Sequence, residues 1–172
     1  MAEEGGGGSS NKEKKLMVAI DESECSHYAL EWALDNLPDY ISSSSSSLYI
    51  FTAQNLVDFG YLQAASLASS PPELLRTVQE QQNNFASTLL EKATEICANR
   101  GVTPKTISEV GDPKEVICQA VEKFDINLLV LGNNGKGAIK RAFLGSVSNY
   151  CVHNAKCPVL VVKKPCMKSA LP

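Results

Sequence analysis

Residues 16–21 read Leu-Met-Val-Ala-Ile-Asp and residues 126–131 read Ile-Asn-Leu-Leu-Val-Leu, two short and nearly continuous apolar runs. A strand with one wet face alternates apolar and polar residues, so runs of this kind belong to strands buried on both faces. Leu48 to Ala53 (LYIFTA) and Pro158 to Val162 (PVLVV) repeat the pattern, whereas Lys105 to Val110 (KTISEV) alternates and suits an edge strand. Helical periodicity separates these runs. Leu30, Ala33, Leu34 and Leu37 follow the i, i+3, i+4, i+7 rule, and Val78, Phe85, Leu89, Ala93 and Ile96 fall near one face of a longer helix. Ser70 before Pro71 and Pro72 is its expected start and Gly101 its expected stop. Val116, Ala120, Val121 and Phe124 define a third helix, with Asp112 as cap, Pro113 at the first helical position and Glu115 within capping-box reach. A fourth begins near Ser146. The order β-α-β-α-β-α-β-α-β with right-handed crossovers predicts an α/β fold, an open five-stranded parallel sheet with helices on both faces. Such sheets bind ligands beyond the carboxyl ends of the strands, where the winding direction reverses.

The chain has 172 residues, 44% hydrophobic and 20% charged, enough apolar content for a core and inconsistent with a disordered chain. Sixteen basic and nineteen acidic residues leave a formal net charge of -3, which gives no general attraction for polyphosphate backbones. Nucleic acid is not an expected partner. No apolar run approaches the roughly 20 residues that span a bilayer, and a Gly-rich charged start is unlike a secretory signal. A cytoplasmic address is expected, with the nucleus also open. Residues 1–15 read as a flexible leader, 16–163 as one domain and 164–172 as a flexible tail. The serine run Ser42 to Ser47 reads as a solvated loop. Six cysteines, at 25, 97, 118, 151, 157 and 166, include no C-x-x-C pair and read as reduced, buried or incidental thiols, with Cys166 in the tail left open.

The densest chemical signal follows the fourth strand: Leu131-Gly132-Asn133-Asn134-Gly135, nine further residues, then Gly145-Ser146-Val147-Ser148. Gly132 would let a ligand approach the backbone without a Cβ clash, and Gly135 permits a turn exposing successive N–H groups. Gly145 and Ser146 then open a helix whose first amides are unpaired and whose dipole is positive at that end, so the segment can cradle phosphate. Lys136, Lys140 and Arg141 lie between, either closing over the charge or solvated. The P-loop pattern fails because Ala138 follows Gly137, and G-x-G-x-x-G fails because Lys140 stands at its third glycine. Asp21 either contacts a ligand, caps the next helix or stabilises the loop to Ser23. His27 and His153 are isolated, and Trp32 reads as packing.

The spacing G-x2-G-x9-G-[ST] at Gly132, Gly135, Gly145 and Ser146, with V-A-I-D-E-S at Val18 to Ser23 and C-P-V-L-V-V at Cys157 to Val162, resembles the universal stress protein family over residues 16–163. The leader and the long second helix resemble its plant members. The resemblance implies a Rossmann-like, adenine nucleotide alpha hydrolase-like sheet in strand order 3-2-1-4-5. By match to the ATP-binding branch, Asp21 would contact the ribose and adenine side, and Ala19 and Ala53 would line the base pocket. Leu131, Gly132, Gly135, Gly145, Ser146, Val147 and Ser148 would hold ribose and phosphates, with Ile20 and Asn133 completing the candidate set. Asn133 and Asn134 stand where the family commonly has Ser followed by Arg or His, which removes a cation near the phosphates.

The implied function is a regulatory protein of the stress response that binds ATP or AMP, with magnesium accompanying a triphosphate and an unidentified signalling partner downstream. The alternatives are a slow ATPase and a nucleotide-free homodimeric scaffold. Turnover would need a base or positioned water at the γ-phosphate, and no residue is recognisable in that role. The family also implies a homodimer through the last strand.

Overall fold

Five strands, β1 (Lys14–Ala19), β2 (Ser46–Gln54), β3 (Lys105–Val110), β4 (Leu128–Gly132) and β5 (Val159–Val162), form one sheet in the order β3-β2-β1-β4-β5. Every neighbouring pair is parallel. The computed structural model describes residues 13–54, 72–133 and 144–165. Helices α1 (Glu24–Asn36), α2 (Pro72–Ala98), α3 (Pro113–Lys123) and α4 (Ser146–Asn154) connect the strands, with one 3-10 turn at Pro38–Tyr40. The expected fold class and strand order are both present, with KTISEV on the outer edge.

Side-chain alternation divides the core into two layers. Leu16, Val18, Leu48, Ile50 and Val130 face Ala29, Leu30 and Ala33 of α1 and Leu89, Ala93 and Cys97 of α2. Their neighbours Met17, Ala19, Tyr49, Phe51, Leu129 and Leu131 face the other way, onto Val116, Ile117, Ala120 and Val121 of α3 and Cys151 of α4. Leu16, Met17 and Val18 are each 0% exposed, the consequence of covering both faces of a central strand. Trp32 packs against the first layer, as a structural residue.

Local signals fix the helix ends. Ser23 caps α1 by accepting from the Ser26 amide, and Asp112 caps α3 by accepting from the Lys114 amide at 3.0 Å, with Pro113 opening the helix. After α2, Gly101 takes φ +71, a left-handed conformation in which a side chain would be strained, and Val102 N donates to Cys97 O.

Several boundaries differ from expectation. β1 begins at Lys14, inside the stretch whose composition reads as a leader, because Asn127 extends the sheet there. Its Oδ1 accepts from Lys15 N and its own N donates to Lys15 O, both at 2.8 Å. β1 ends at Ala19, so Ile20 and Asp21 lie beyond the strand. Ser46 and Ser47 belong to β2 rather than to a loop, since they pair with Lys14 and Lys15. Phe85 is 55% exposed. The buried stripe of α2 runs through Ala86, Leu89, Ala93 and Cys97, one position round from the stripe that includes Phe85. The side chain of Val78 and the residues Ser70 and Pro71 lie outside the described residues, as do residues 1–12 and the tail from Cys166.

Burial pushes the Cys97 thiol up to about 11 and the Cys151 thiol up to about 12, against an ordinary value of 9.0. Both stay protonated in the fold while the unfolded chain ionises at the lower value, so their contribution is complete below about pH 9 and lost as pH rises toward 11 to 12. The urea midpoint should therefore fall between pH 9 and 10.5, and Cys151→Ala should flatten that fall. An unchanged slope in the variant would assign the alkaline loss to other groups.

Candidate functional site

Ala19 pairs with Leu131 at the carboxyl ends of β1 and β4. Beyond that rung the two chains turn away from each other. Ile20 N donates to Phe51 O at 2.8 Å, holding the β1 side to β2, and Asn133 N donates to Val162 O at 2.9 Å, holding the β4 side to β5. The crevice between them opens into a cavity of about 650 Å³. That volume is within the roughly 300–1,000 Å³ usual for small-molecule sites.

Most of the candidate residues meet there. Ala19, Ile20 and Asp21 line the cavity from β1, Ala53 from β2, Leu131 and Gly132 from β4, and Gly145, Ser146, Val147 and Ser148 from the start of α4. Asn133 does not line it; its Oδ1 accepts from Gly145 N at 3.2 Å. Gly135 lies outside the described residues, as do Asn134, Lys136, Gly137, Ala138, Lys140 and Arg141. His27 and His153 are not lining residues.

The remaining walls were not anticipated. Phe51 lies two residues from Ala53 on the same face of β2, and Pro113 and Ile117 are one turn apart on α3. The i, i+2 and i, i+4 rules would have reached them once Ala53 and the first residues of α3 were placed. Ser23, Ser26 and Leu144 complete the lining. Ser23 and Ser26 carry a readable S-x-x-S capping signal; Leu144 carries none beyond preceding Gly145.

Asp21 is held from two directions. Its Oδ1 accepts from Ser23 N at 2.9 Å and from Ser23 Oγ. The buried Ser26 hydroxyl contacts both main-chain groups of Asp21, accepting from N at 3.1 Å and donating to O at 2.8 Å. The loop-stabilising reading of Asp21 is therefore correct, and the same residue faces the cavity. It is the sole ionisable side chain among the described lining residues.

Among α1, α3 and α4, whose first residues all adjoin the cavity, α4 differs in one respect. Ser23 and Asp112 cap the first two with side-chain oxygens, whereas the N-cap of α4 is Gly145, which has none. Gly145 O accepts from Asn149 N at 2.8 Å and from Ser148 Oγ at 3.1 Å, which starts the helix. First-turn amides have no intrahelical acceptor, so those of Ser146, Val147 and Ser148 form the donor set, reinforced by the positive end of the helix dipole. No group of three or more His, Cys, Asp or Glu side chains among the described residues is arranged to hold a metal ion.

Gly132 has a packing reason for being glycine in addition to its place in the cavity lining. A Cβ built there would lie 2.5 Å from Cys25 O and 2.7 Å from Ser26 N, so the absence of a side chain is what lets α1 start against β4.

The sequence signature of the universal stress protein family matches residues 13–163. A universal stress protein A-like protein of Arabidopsis thaliana is 30% identical over 159 residues, covering 87% of this chain and 90% of the relative. Among solved structures, a universal stress protein family protein of Arabidopsis thaliana with AMP bound has a TM-score of 0.64 at 27% identity, covering 88% of this chain and 92% of that one. A universal stress protein in complex with cAMP has a TM-score of 0.57 at 23% identity, covering 87% and 95%, a likeness of fold.

Gly132→Ala should destabilise the protein by about 1–3 kcal/mol through overpacking against the first turn of α1. Urea denaturation would register a lower midpoint at unchanged m-value. A midpoint equal to that of the parent would mean that α1 and β4 separate without cost.

Proposed function

The chain belongs to the universal stress protein family, and from that membership we propose that it is a regulatory protein of the stress response that binds an adenine nucleotide, AMP or ATP, in the cavity between β1 and β4. The observation that carries this reading is the coincidence, around one cavity, of Asp21, two small alanines and an uncapped helix N-terminus. Ala19 and Ala53 leave room for a flat base over an apolar wall that includes Phe51 and Ile117. Asp21 supplies an acceptor for ribose hydroxyls. The amides of Ser146, Val147 and Ser148 take the phosphate, with the Ser146 hydroxyl as a further donor. The relative at 27% identity with AMP bound supports the same ligand class.

Binding is favoured over turnover. Asp21, the only carboxylate among the described lining residues, is already engaged by the amide and hydroxyl of Ser23, so it is not free to position a water for attack. A triphosphate would bring magnesium on its own oxygens and shield the charge between its phosphates.

We further place the homodimer contact at β5, which ends the sheet with Val159, Leu160 and Val161 each half-buried in the single chain. The working location is the cytoplasm, and no helix among the described residues is long and apolar enough to cross a membrane.

Calorimetry on nucleotide-stripped protein should show saturable binding of AMP, ADP or ATP. Gly145→Asp, which caps α4 with a carboxylate, should weaken it by about tenfold. Absence of saturable binding by any of the three in the parent protein would reject the function. Light scattering at micromolar concentration should give twice the chain mass; a monomer would reject the β5 contact.

A further inference from the structure

Among the described candidate residues, Asn133 alone stays out of the cavity. Its position is nevertheless fixed at both ends. The main-chain N–H donates to Val162 O at 2.9 Å, which pins the residue to the end of β5. The side-chain Oδ1 accepts from Gly145 N at 3.2 Å, twelve residues further along the chain. Gly145 is the N-cap of α4, and its carbonyl already accepts from Asn149 N and Ser148 Oγ. Both main-chain polar groups of Gly145 are therefore engaged, the carbonyl by the helix and the N–H by Asn133.

We propose that Asn133 is the positioning residue of the anion site. It is a neutral clasp that ties the N-terminus of α4 to the end of β4 and, by taking the Gly145 N–H, leaves phosphate to be read by the amides of Ser146, Val147 and Ser148. This rests on the reading of the cavity as an adenine-nucleotide site. The residue type follows from electrostatics. A helix N-terminus accepts a carboxylate even more readily than an amide, because the hydrogen bond becomes charge-assisted and the dipole favours the negative charge. An aspartate at 133 would thus hold Gly145 at least as well, but it would put a full charge beside the place where the phosphate enters. Asparagine supplies the same acceptor geometry without the charge. The clasp also sets register: Gly145 N is fixed to a residue that is itself fixed to β5, so the three free amides have a defined position relative to the end of the sheet.

Two substitutions separate the clasp from the charge. In Asn133→Ala the acceptor is gone, and exchange of the Gly145 amide, followed by NMR in nucleotide-free protein, should accelerate about tenfold. AMP affinity should fall about threefold to tenfold, the range of one hydrogen bond, while adenosine affinity changes less than about twofold. In Asn133→Asp, Gly145 should exchange as slowly as in the parent and the thermal midpoint should be equal or higher, yet AMP should weaken at least as much as in the alanine variant and ATP more. Unchanged Gly145 exchange in Asn133→Ala overturns the clasp. Equal weakening of AMP and adenosine overturns the phosphate role and reduces Asn133 to a general support of the fold. Parent protein that binds no nucleotide rejects the binding reading and the phosphate role with it, while the exchange measurement still decides whether Asn133 holds Gly145.

Discussion

The last shared rung between β1 and β4, Ala19 beside Leu131, is where the chain stops being a sheet and becomes a site. Up to that rung the two central strands satisfy each other. Past it, each must find hydrogen bonds with its outer neighbour, Ile20 with Phe51 and Asn133 with Val162, because the connections from β1 and β4 run to opposite faces of the sheet. The divergence is a necessity of winding order β3-β2-β1-β4-β5 rather than of any single side chain. The same necessity aims helix starts at the opening, since in a parallel β-α unit each helix begins where its strand ends. What individual residues decide is which of those helix starts stays available. Ser23 and Asp112 occupy two of them, and glycine at 145 leaves the third to be used by something else.

Gly132 illustrates how one residue can be required for a reason that its motif conceals. Its place in a spaced glycine pattern suggests room for a ligand, yet the nearest obstruction to a Cβ is the main chain of Cys25 and Ser26. The tight approach has a functional consequence all the same. Bringing α1 against β4 places Ser26 where its hydroxyl can hold both main-chain groups of Asp21, and Ser23 where it can hold the carboxylate. A packing constraint at β4 is thereby converted into the orientation of an acceptor beyond β1, on the opposite wall of the same cavity.

The fold was legible because burial on both faces leaves an unmistakable trace: consecutive apolar residues such as Leu16, Met17 and Val18 have no polar side to present. The start of α4 was legible for a similar reason, since glycine followed by serine interrupts any periodic pattern. Pro113, Ile117 and Phe51 were harder to foresee as site residues, because what makes them a wall is the packing of α3 over β2, a contact between elements far apart in sequence. Phe85 misled for a related reason. Helical periodicity gives the width of an apolar stripe but not which edge of it meets the sheet, and α2 presents the small Ala86 there instead. Asn127 went unread because a side chain that imitates a strand's main chain has no compositional signature.

The distribution of polarity inside the cavity limits what can complement it. Its lining combines the carboxylate of Asp21, its charge spread by two hydrogen bonds from Ser23, main-chain donors at the start of α4, and an apolar wall that includes Ala19, Ala53, Phe51 and Ile117. Inorganic phosphate would satisfy the donors and leave the acceptor and the apolar wall in contact with water. A free nucleoside would satisfy the acceptor and the wall and leave the donors unused. A molecule with hydroxyl donors next to a flat apolar ring and an anion at the far end meets all three, and that is the constitution of a nucleotide. Fixed peptide dipoles are suited to the anionic end because they need no reorganisation when the ligand arrives, and an ammonium on a flexible stem would lose rotamer freedom to do the same work. For the proposed nucleotide, whose ribose hydroxyls lie between base and phosphate, selectivity then comes from meeting all three zones at once more than from the strength of any one contact.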